Sequence, residues 1–260
     1  MKFNNLFWGG ALILFGVLFL LQRQGIIPNV FALFWPLVLI LFGSWLVLSV
    51  FWKPAQRADE TFSVALQNAK QVNYRFNHGA AQIRLSGGAP AGQALVGSSA
   101  VVMSYDSHLA GDSLEVKVDT GPSLIPFMGP VNAQWQYQLT NEIPVTLRIS
   151  AGASSFHLDL QDVQATRIVL NLGASSVDLT LPARGASLLE IEAGAASFNL
   201  RVPEATAARI RSRDGFSSLN IDTTRFPQVD SGLYQSPDYD TSPNRTDIVL
   251  ESVVGSVTVT

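Results

Sequence analysis

Hydrophobic positions in this chain follow two different rules in two successive stretches. From Leu6 to Leu21 sixteen residues are apolar or glycine without a break, and Val30 to Trp52 forms a second, predominantly apolar run of 23. A helix rises about 1.5 Å per residue and a bilayer core is roughly 30 Å thick. The second run is therefore long enough to span, and the first becomes so with Phe3 to Asn5 and Gln22 at the interface. The pattern predicts spans of about 6–22 and 30–52, turned by Gly25 and Pro28 in QRQGIIPN, so that residues 1–57 form a transmembrane helical hairpin. The competing reading of the first run, a cleaved signal peptide, lacks a small-x-small cleavage site and is followed at once by a second span.

Beyond residue 57 the rule changes to alternation. Gly152, Gly173, Gly194 and Gly215 are each 21 residues apart and open the phrases GASSFHLDL, GASSVDLTL, GAASFNLRV and GFSSLNIDT. An earlier echo, GAAQIRL, begins at Gly79, and a degenerate one, GSVTVT, begins at Gly255. Phe156, Leu158 and Leu160 match Val177, Leu179 and Leu181, and then Phe198, Leu200 and Val202. A period of two is a strand with one buried face, and glycine followed by Ala and Ser is a tight corner. Each unit reads as strand, glycine corner, strand and second turn. A fixed period near 20 residues predicts stacked repeats, so residues 58–260 are expected to form a β-solenoid-like all-β domain. A long antiparallel meander with two strands per repeat gives the same periodicity.

The outward positions also form columns. Five residues after each corner glycine stand His157, Asp178, Asn199 and Asn220, and two further on stand Asp159, Thr180, Arg201 and Asp222. The first set is a candidate polar binding stripe for sugar or cation. The plainer reading is a solvated face held by stacked Asn and Asp side chains, since the columns mix charge signs and show no calcium-loop pattern. The apolar stretch 120–131 (TGPSLIPFMGPV) is expected to cap the core, and the polar stretch 226–245 to be a surface loop. The segments Phe62 to Phe76 and Asp247 to Thr260 are the candidate end caps of the stack.

Charge then narrows the function. Residues 1–57 carry Lys2, Arg23, Lys53 and Arg57 and no acid, whereas residues 58–260 carry all 20 acids and a net charge of −7. An acidic domain of this kind makes no nucleic-acid binder. With Lys2 before the first span, Lys53 and Arg57 after the second and only Arg23 between, the positive-inside rule places both termini and the β domain in the cytoplasm. Neither span contains an ionisable residue, which argues against an ion pathway. Gly9 and Gly16 share a helix face, and with Gly43 and Ser44 they are candidate sites for docking another helix, or for packing the hairpin on itself. There is no cysteine, the three His have no ligand spacing, and no nucleophile elbow, Walker A loop, zinc-peptidase motif or dinucleotide fingerprint occurs. No metal, cofactor or catalytic residue is expected. A polysaccharide-active enzyme built on Asp159, Asp178 and Asp222 finds no support beyond the repeat that already places them.

A glycine-punctuated apolar hairpin (FWGGALILFGVLFLL, then FWPLVLILFGSWLVL) followed by GASSFHLDL-like phrases resembles the Lia-type (LiaF-like) membrane proteins of the bacterial cell-wall-antibiotic response, whose soluble part is the toast-rack domain. The resemblance covers nearly the whole chain. It implies a non-enzymatic regulator in the cytoplasmic membrane, beside a sensor kinase or another envelope protein, and it carries over no catalytic residues. A surface adhesin or a self-assembling homo-oligomeric scaffold is the alternative that an open-ended stack suggests.

Overall fold

The computed structural model describes residues 15–25, 34–40, 43, 60–99, 104–119, 134–212, 218–251 and 254–260. The chain divides into two units, Met1–Gln56 and Arg57–Thr260. In the first, residues 15–23 and 34–40 are helical, and the Phe15 ring meets Phe34 edge-on at 5.2 Å. Val17, Phe19, Leu20, Trp35, Leu39 and Ile40 are exposed. No helix among the described residues is long and apolar enough to cross a membrane. Most of the two expected spans lies outside the described residues, including Gly9 and Ser44.

The second unit is built from strands. Its first part holds β1 (Glu60–Ala65), β2 (Gln71–Gly87), β3 (Gln93–Ser99), β4 (Ser104–Ala110), β5 (Ser113–Asp119) and β6 (Gln134–Leu139). The repeats supply β7 (Val145–Asp159), β8 (Ala165–Thr180), β9 (Ala186–Ala193), β10 (Ala195–Arg201), β11 (Ala207–Ser212) and β12 (Ser218–Ile221). Two short strands, β13 (Gln228–Asp230) and β14 (Leu233–Gln235), precede β15 (Arg245–Glu251) and β16 (Val254–Val259).

β2, β7 and β8 run through the glycine corner without interruption, and their neighbours pair with one half or the other. Before the corner, β5, β2, β7, β8, β9, β15 and β11 are parallel neighbours in that order. After it, β6, β2, β7, β8, β10, β16 and β12 are parallel neighbours. A meander would have paired successive repeat strands antiparallel, so these pairings exclude it for the repeats. Between β7 from Thr146 onward and β8, and between β8 and both β9 and β10, facing residues lie 21 apart, as Phe156, Val177 and Phe198 do. Elsewhere the separation differs, because β2 faces β7 across 73 residues.

Both layers close on one core. Tyr74, Leu147, Ile168, Leu189, Ile248 and Ile210 form one inward ladder, and Leu85, Leu158, Leu179, Leu200, Val259 and Ile221 form another. All twelve side chains are buried. Burying such a side chain contributes roughly 1.5–3 kcal/mol, so the ladders are a principal source of stability. The inward set is 145, 147, 149 before the corner and 154, 156, 158 after it in β7, so the alternation slips by one residue where the strand turns between layers.

Two expectations about the ends of the stack and one about a loop need correcting. Asp247 to Thr260 is no cap: β15 and β16 lie inside the stack, between β9–β10 and β11–β12. Alternating Ile248, Leu250, Val257 and Val259 belong to the core ladders and are buried from both sides. Phe76 likewise sits in the interior, whereas Phe62 of the edge strand β1 covers Gly97 and stacks on Tyr105 of the edge strand β4 at 4.5 Å. The 226–245 segment is more than a surface loop. It carries β13 and β14, β14 pairs with β11, and Phe226, Ser236 and Tyr239 are buried. Residues 120–131 lie outside the described residues.

Candidate functional site

The corner glycines come together as a column. A Cβ on Gly152 would stand 3.0 Å from the Gly79 carbonyl oxygen, one on Gly173 2.6 Å from that of Gly152, and one on Gly194 3.5 Å from that of Gly173. Close approach of stacked backbones, and no left-handed conformation, is what asks for glycine at these corners. The serines that follow are buried and turn back: Ser154 Oγ donates to the Gly79 carbonyl and Ser175 Oγ to that of Gly152, each over a long 3.4 Å. The corners are structural, and Gly215 lies outside the described residues.

The expected polar stripe is broken by the interposed strand. Arg84, His157, Asp178 and Asn199 are neighbours, then comes Thr258, and only then Asn220. His157, Asp178, Asn199 and Asn220 are all exposed, and Asn199 Nδ2 donates to Asp178 Oδ1 at 3.1 Å. This is a side-chain ladder on a solvated face. Among the described residues, no three His, Asp or Glu side chains gather as metal ligands would. At the turn end of the repeats a half-open groove of about 560 Å³ is lined by Asn141, Gln161, Asp162, Gln164 and Arg184, a mixed polar surface without a paired acid and base.

Two constellations went unnoticed in the sequence. His78, directly before Gly79, is buried among aromatic rings: Trp135 lies 5.5 Å away, Tyr137 5.9 Å and Phe76 6.3 Å between ring centres. Trp135 and Tyr137 point inward from β6, which pairs parallel with β2 and antiparallel with β3. His78 Nε2 is 3.4 Å from the Tyr137 hydroxyl, and Nδ1 has no hydrogen-bond partner among the described residues. Burial pushes the imidazole down to about 4, against the pull of the Asp119 carboxylate. The signal was legible in the repeat alignment, where the facing residues are Ala151 and Leu172 and a histidine is out of place.

A measurable consequence follows for stability. A folded pKa below the unfolded one means that the unfolded chain takes up the proton first as pH falls. Stability from the neutral ring is therefore full above about pH 6.5 and is lost as pH drops towards 4, by up to about 3 kcal/mol. Urea unfolding at pH 7 and pH 4.5 is expected to show this loss, and His78→Gln is expected to flatten it. An unchanged slope in the variant would assign the acid sensitivity elsewhere.

The second constellation centres on Asp247 of β15. Arg209 donates to it through two nitrogens at 2.9 Å each, the Tyr239 hydroxyl donates at 2.6 Å, and Arg211 stands 3.1 Å away. The Arg209 guanidinium also lies 4.4 Å over the Tyr239 ring. Burial pushes the Asp247 carboxyl up, but the hydrogen bonds from Arg209 and Tyr239 outweigh it and hold the group below the usual range. The same environment pushes Tyr239 up to about 12. The cluster pins the 226–245 segment to β11 and β15.

Comparison with known proteins supplies the remaining context. The LiaF transmembrane domain matches residues 7–67, and the N-terminal domain of toast_rack (DUF2154) matches residues 53–201. No curated protein matches the chain. Among solved structures, a proposed cell adhesion protein from Clostridium sporogenes superposes with a TM-score of 0.70 at 17% identity, over 78% of this chain and 98% of that one. At that identity the likeness shows the fold alone. Neither matched family is known for enzymes, and LiaF-type proteins are associated with envelope stress and with the membrane. With the toast-rack match extending over more than half of the chain and the LiaF transmembrane match preceding it, the protein belongs to the toast-rack family and is LiaF-like.

Proposed function

We propose that this protein is a non-enzymatic regulator of the bacterial envelope-stress response, anchored in the cytoplasmic membrane by two spans and acting through protein–protein contacts. The observation that carries the reading is the succession, in one chain, of a LiaF transmembrane domain and a toast-rack domain. The toast-rack unit serves as a rigid solenoid of 21-residue turns whose exposed faces meet partners, and basic residues on both flanks of the hairpin favour a cytoplasmic position for it. The hairpin docks on partner helices through the small residues Gly9, Gly16, Gly43 and Ser44.

A Cβ built on Gly16 or Gly43 meets nothing within 4 Å among the described residues, so Gly16→Leu and Gly43→Leu are the variants chosen to block a docking helix. Capture of the tagged protein from stressed membranes is expected to recover a sensor kinase or another envelope protein, at least tenfold less with either variant. Recovery of no specific partner would sink the regulatory reading. A tag after Thr260 is expected to resist protease in intact cells, and cleavage there would place the β domain outside.

A second reading, an adhesin or self-assembling scaffold, draws on the adhesion-protein likeness and on the outer edges of β1, β4 and β12, which pair with no further strand among the described residues. A concentration-dependent oligomer of the purified chain, together with failed partner capture, would favour it.

A further inference from the structure

The place of β15 and β16 conflicts with what the repeat encodes. Rung three (β9 and β10) and rung four (β11 and β12) continue the 21-residue series, yet the C-terminal rung stands between them. In β9–β15–β11 the order is Glu190, Val249, Arg211, and in β10–β16–β12 it is Asn199, Thr258, Asn220. The connections tell the same story. Residues 160–164 join β7 to β8 and residues 181–185 join β8 to β9, both between adjacent rungs. Residues 202–206 join β10 to β11 with the same number of residues, although here a whole rung intervenes.

We propose that β15 and β16 are a displaceable rung: the stack has a second, closed register in which rung four pairs directly with rung three. In that register Leu189 faces Ile210, Phe198 faces Leu219 and Leu200 faces Ile221, three apolar pairs, while Ile191 exchanges Leu250 for Ser212 at the corner end of the rung. Glu190 faces Arg211, an opposite-charge pair on the outer surface. Closing therefore leaves no unpaired strand edge inside the stack, which an ordinary strand withdrawal would. The open register is held by the Asp247 cluster and by the buried Ser187–Thr246 hydroxyl pair at 2.8 Å, both of which have partners on only one arrangement of strands. Two packings of one sequence that differ in a single rung are a bistable element of the kind a regulator needs. The inference rests on strand register alone and stands whether or not the chain regulates a kinase.

The chain has no cysteine, so introduced pairs report without ambiguity. In the open register Asn199 and Asn220 are two strand spacings apart, about 9.5 Å, beyond disulfide reach. The test uses the full chain carrying Asn199→Cys with Asn220→Cys, alone and combined with Ile248→Ala and Val257→Ala, which weaken the C-terminal rung. His157→Cys with Asn199→Cys, also two spacings apart but separated by β8, a rung in chain order, reports general fraying. Asp178→Cys with Asn199→Cys, on adjacent strands, reports a folded stack. Under mild oxidation the 199–220 disulfide is expected to form at least tenfold faster in the weakened chain, with the 157–199 pair open and the 178–199 pair closed in both. Closure of 178–199 without any 199–220 disulfide in either chain would overturn the displaceable rung. Equal closure of 157–199 and 199–220 would overturn it as well, by reducing the effect to fraying.

Discussion

Gly255→Ala and Gly173→Ala are expected to be the most destabilising of the corner glycine substitutions, each by about 3 kcal/mol or more. At Gly173 an added Cβ would come within 2.6 Å of the Gly152 carbonyl oxygen, a backbone atom fixed by its own rung. At Gly255 it would come within 1.8 Å of the Ala196 carbonyl oxygen, and the backbone there holds φ at +153°, which L side chains rarely adopt. Relief in either case requires two parallel rungs to part, which weakens every pairing beyond the corner. Gly152→Ala, at 3.0 Å, is expected to cost less, and Gly194→Ala, at 3.5 Å, to fall within about 1 kcal/mol of neutral because the new methyl makes ordinary contact. Denaturant unfolding of the four variants, followed by β-sheet circular dichroism, checks the order. A Gly194 variant as damaged as the Gly173 variant would show that something other than rung spacing selects these glycines.

Asp247→Ala is expected to cost about 2–4 kcal/mol, more than any other single surface-charge change in the domain. The loss exceeds that of an exposed ion pair because the carboxylate is only 21% exposed and serves three donors at once. Without it Arg209 and the Tyr239 hydroxyl lose their acceptor, and the 226–245 segment loses its attachment to β15. Arg211→Ala removes a partner whose side chain is 47% exposed and is expected to cost under about 1 kcal/mol. The acid response has a definite sign. Asp247 is held below the usual carboxylate range in the fold, so its stabilising effect is present above the unfolded value near 4 and is lost as pH falls through the folded value. Stability measured from pH 5 downward is expected to fall less steeply in Asp247→Asn than in the wild type. An equal fall would place the acid-labile contact elsewhere.

The two acid-sensitive groups act in separate windows. His78 withdraws its contribution between about pH 6.5 and 4, and Asp247 below about 4. The repeat alignment marks His78 as out of place but not why, and nothing in composition or motif marks Asp247, since each acquires its character from neighbours remote in sequence. His78 is surrounded by Trp135 and Tyr137, and Asp247 is held by Arg209 and Tyr239.

How much was readable from the chain depends on how local the cause was. Alternation of Phe156, Leu158 and Leu160 against polar neighbours specifies a strand with one buried face, and the following phrases specify the same face again. The glycine corners were readable because a close backbone approach leaves a residue-type signature at one position. Repetition of the same phrase also placed Val177 beside Phe156 and Phe198 beside Val177, where identical coils stack most easily in register. The apolar runs before residue 57 were equally plain, and the LiaF transmembrane match covers them.

Tertiary structure alone decided which rung neighbours which once the repeat ended. The strand β2 joins β7 across 73 residues, and the C-terminal rung enters between rungs three and four. Both choices depend on matching inward side chains, backbone edges and a few buried polar pairs over long separations in sequence. An alternating pattern states that a strand has a buried face but carries no address for its partner. Chain order therefore determined the rungs of this protein, and only packing determined their sequence in space.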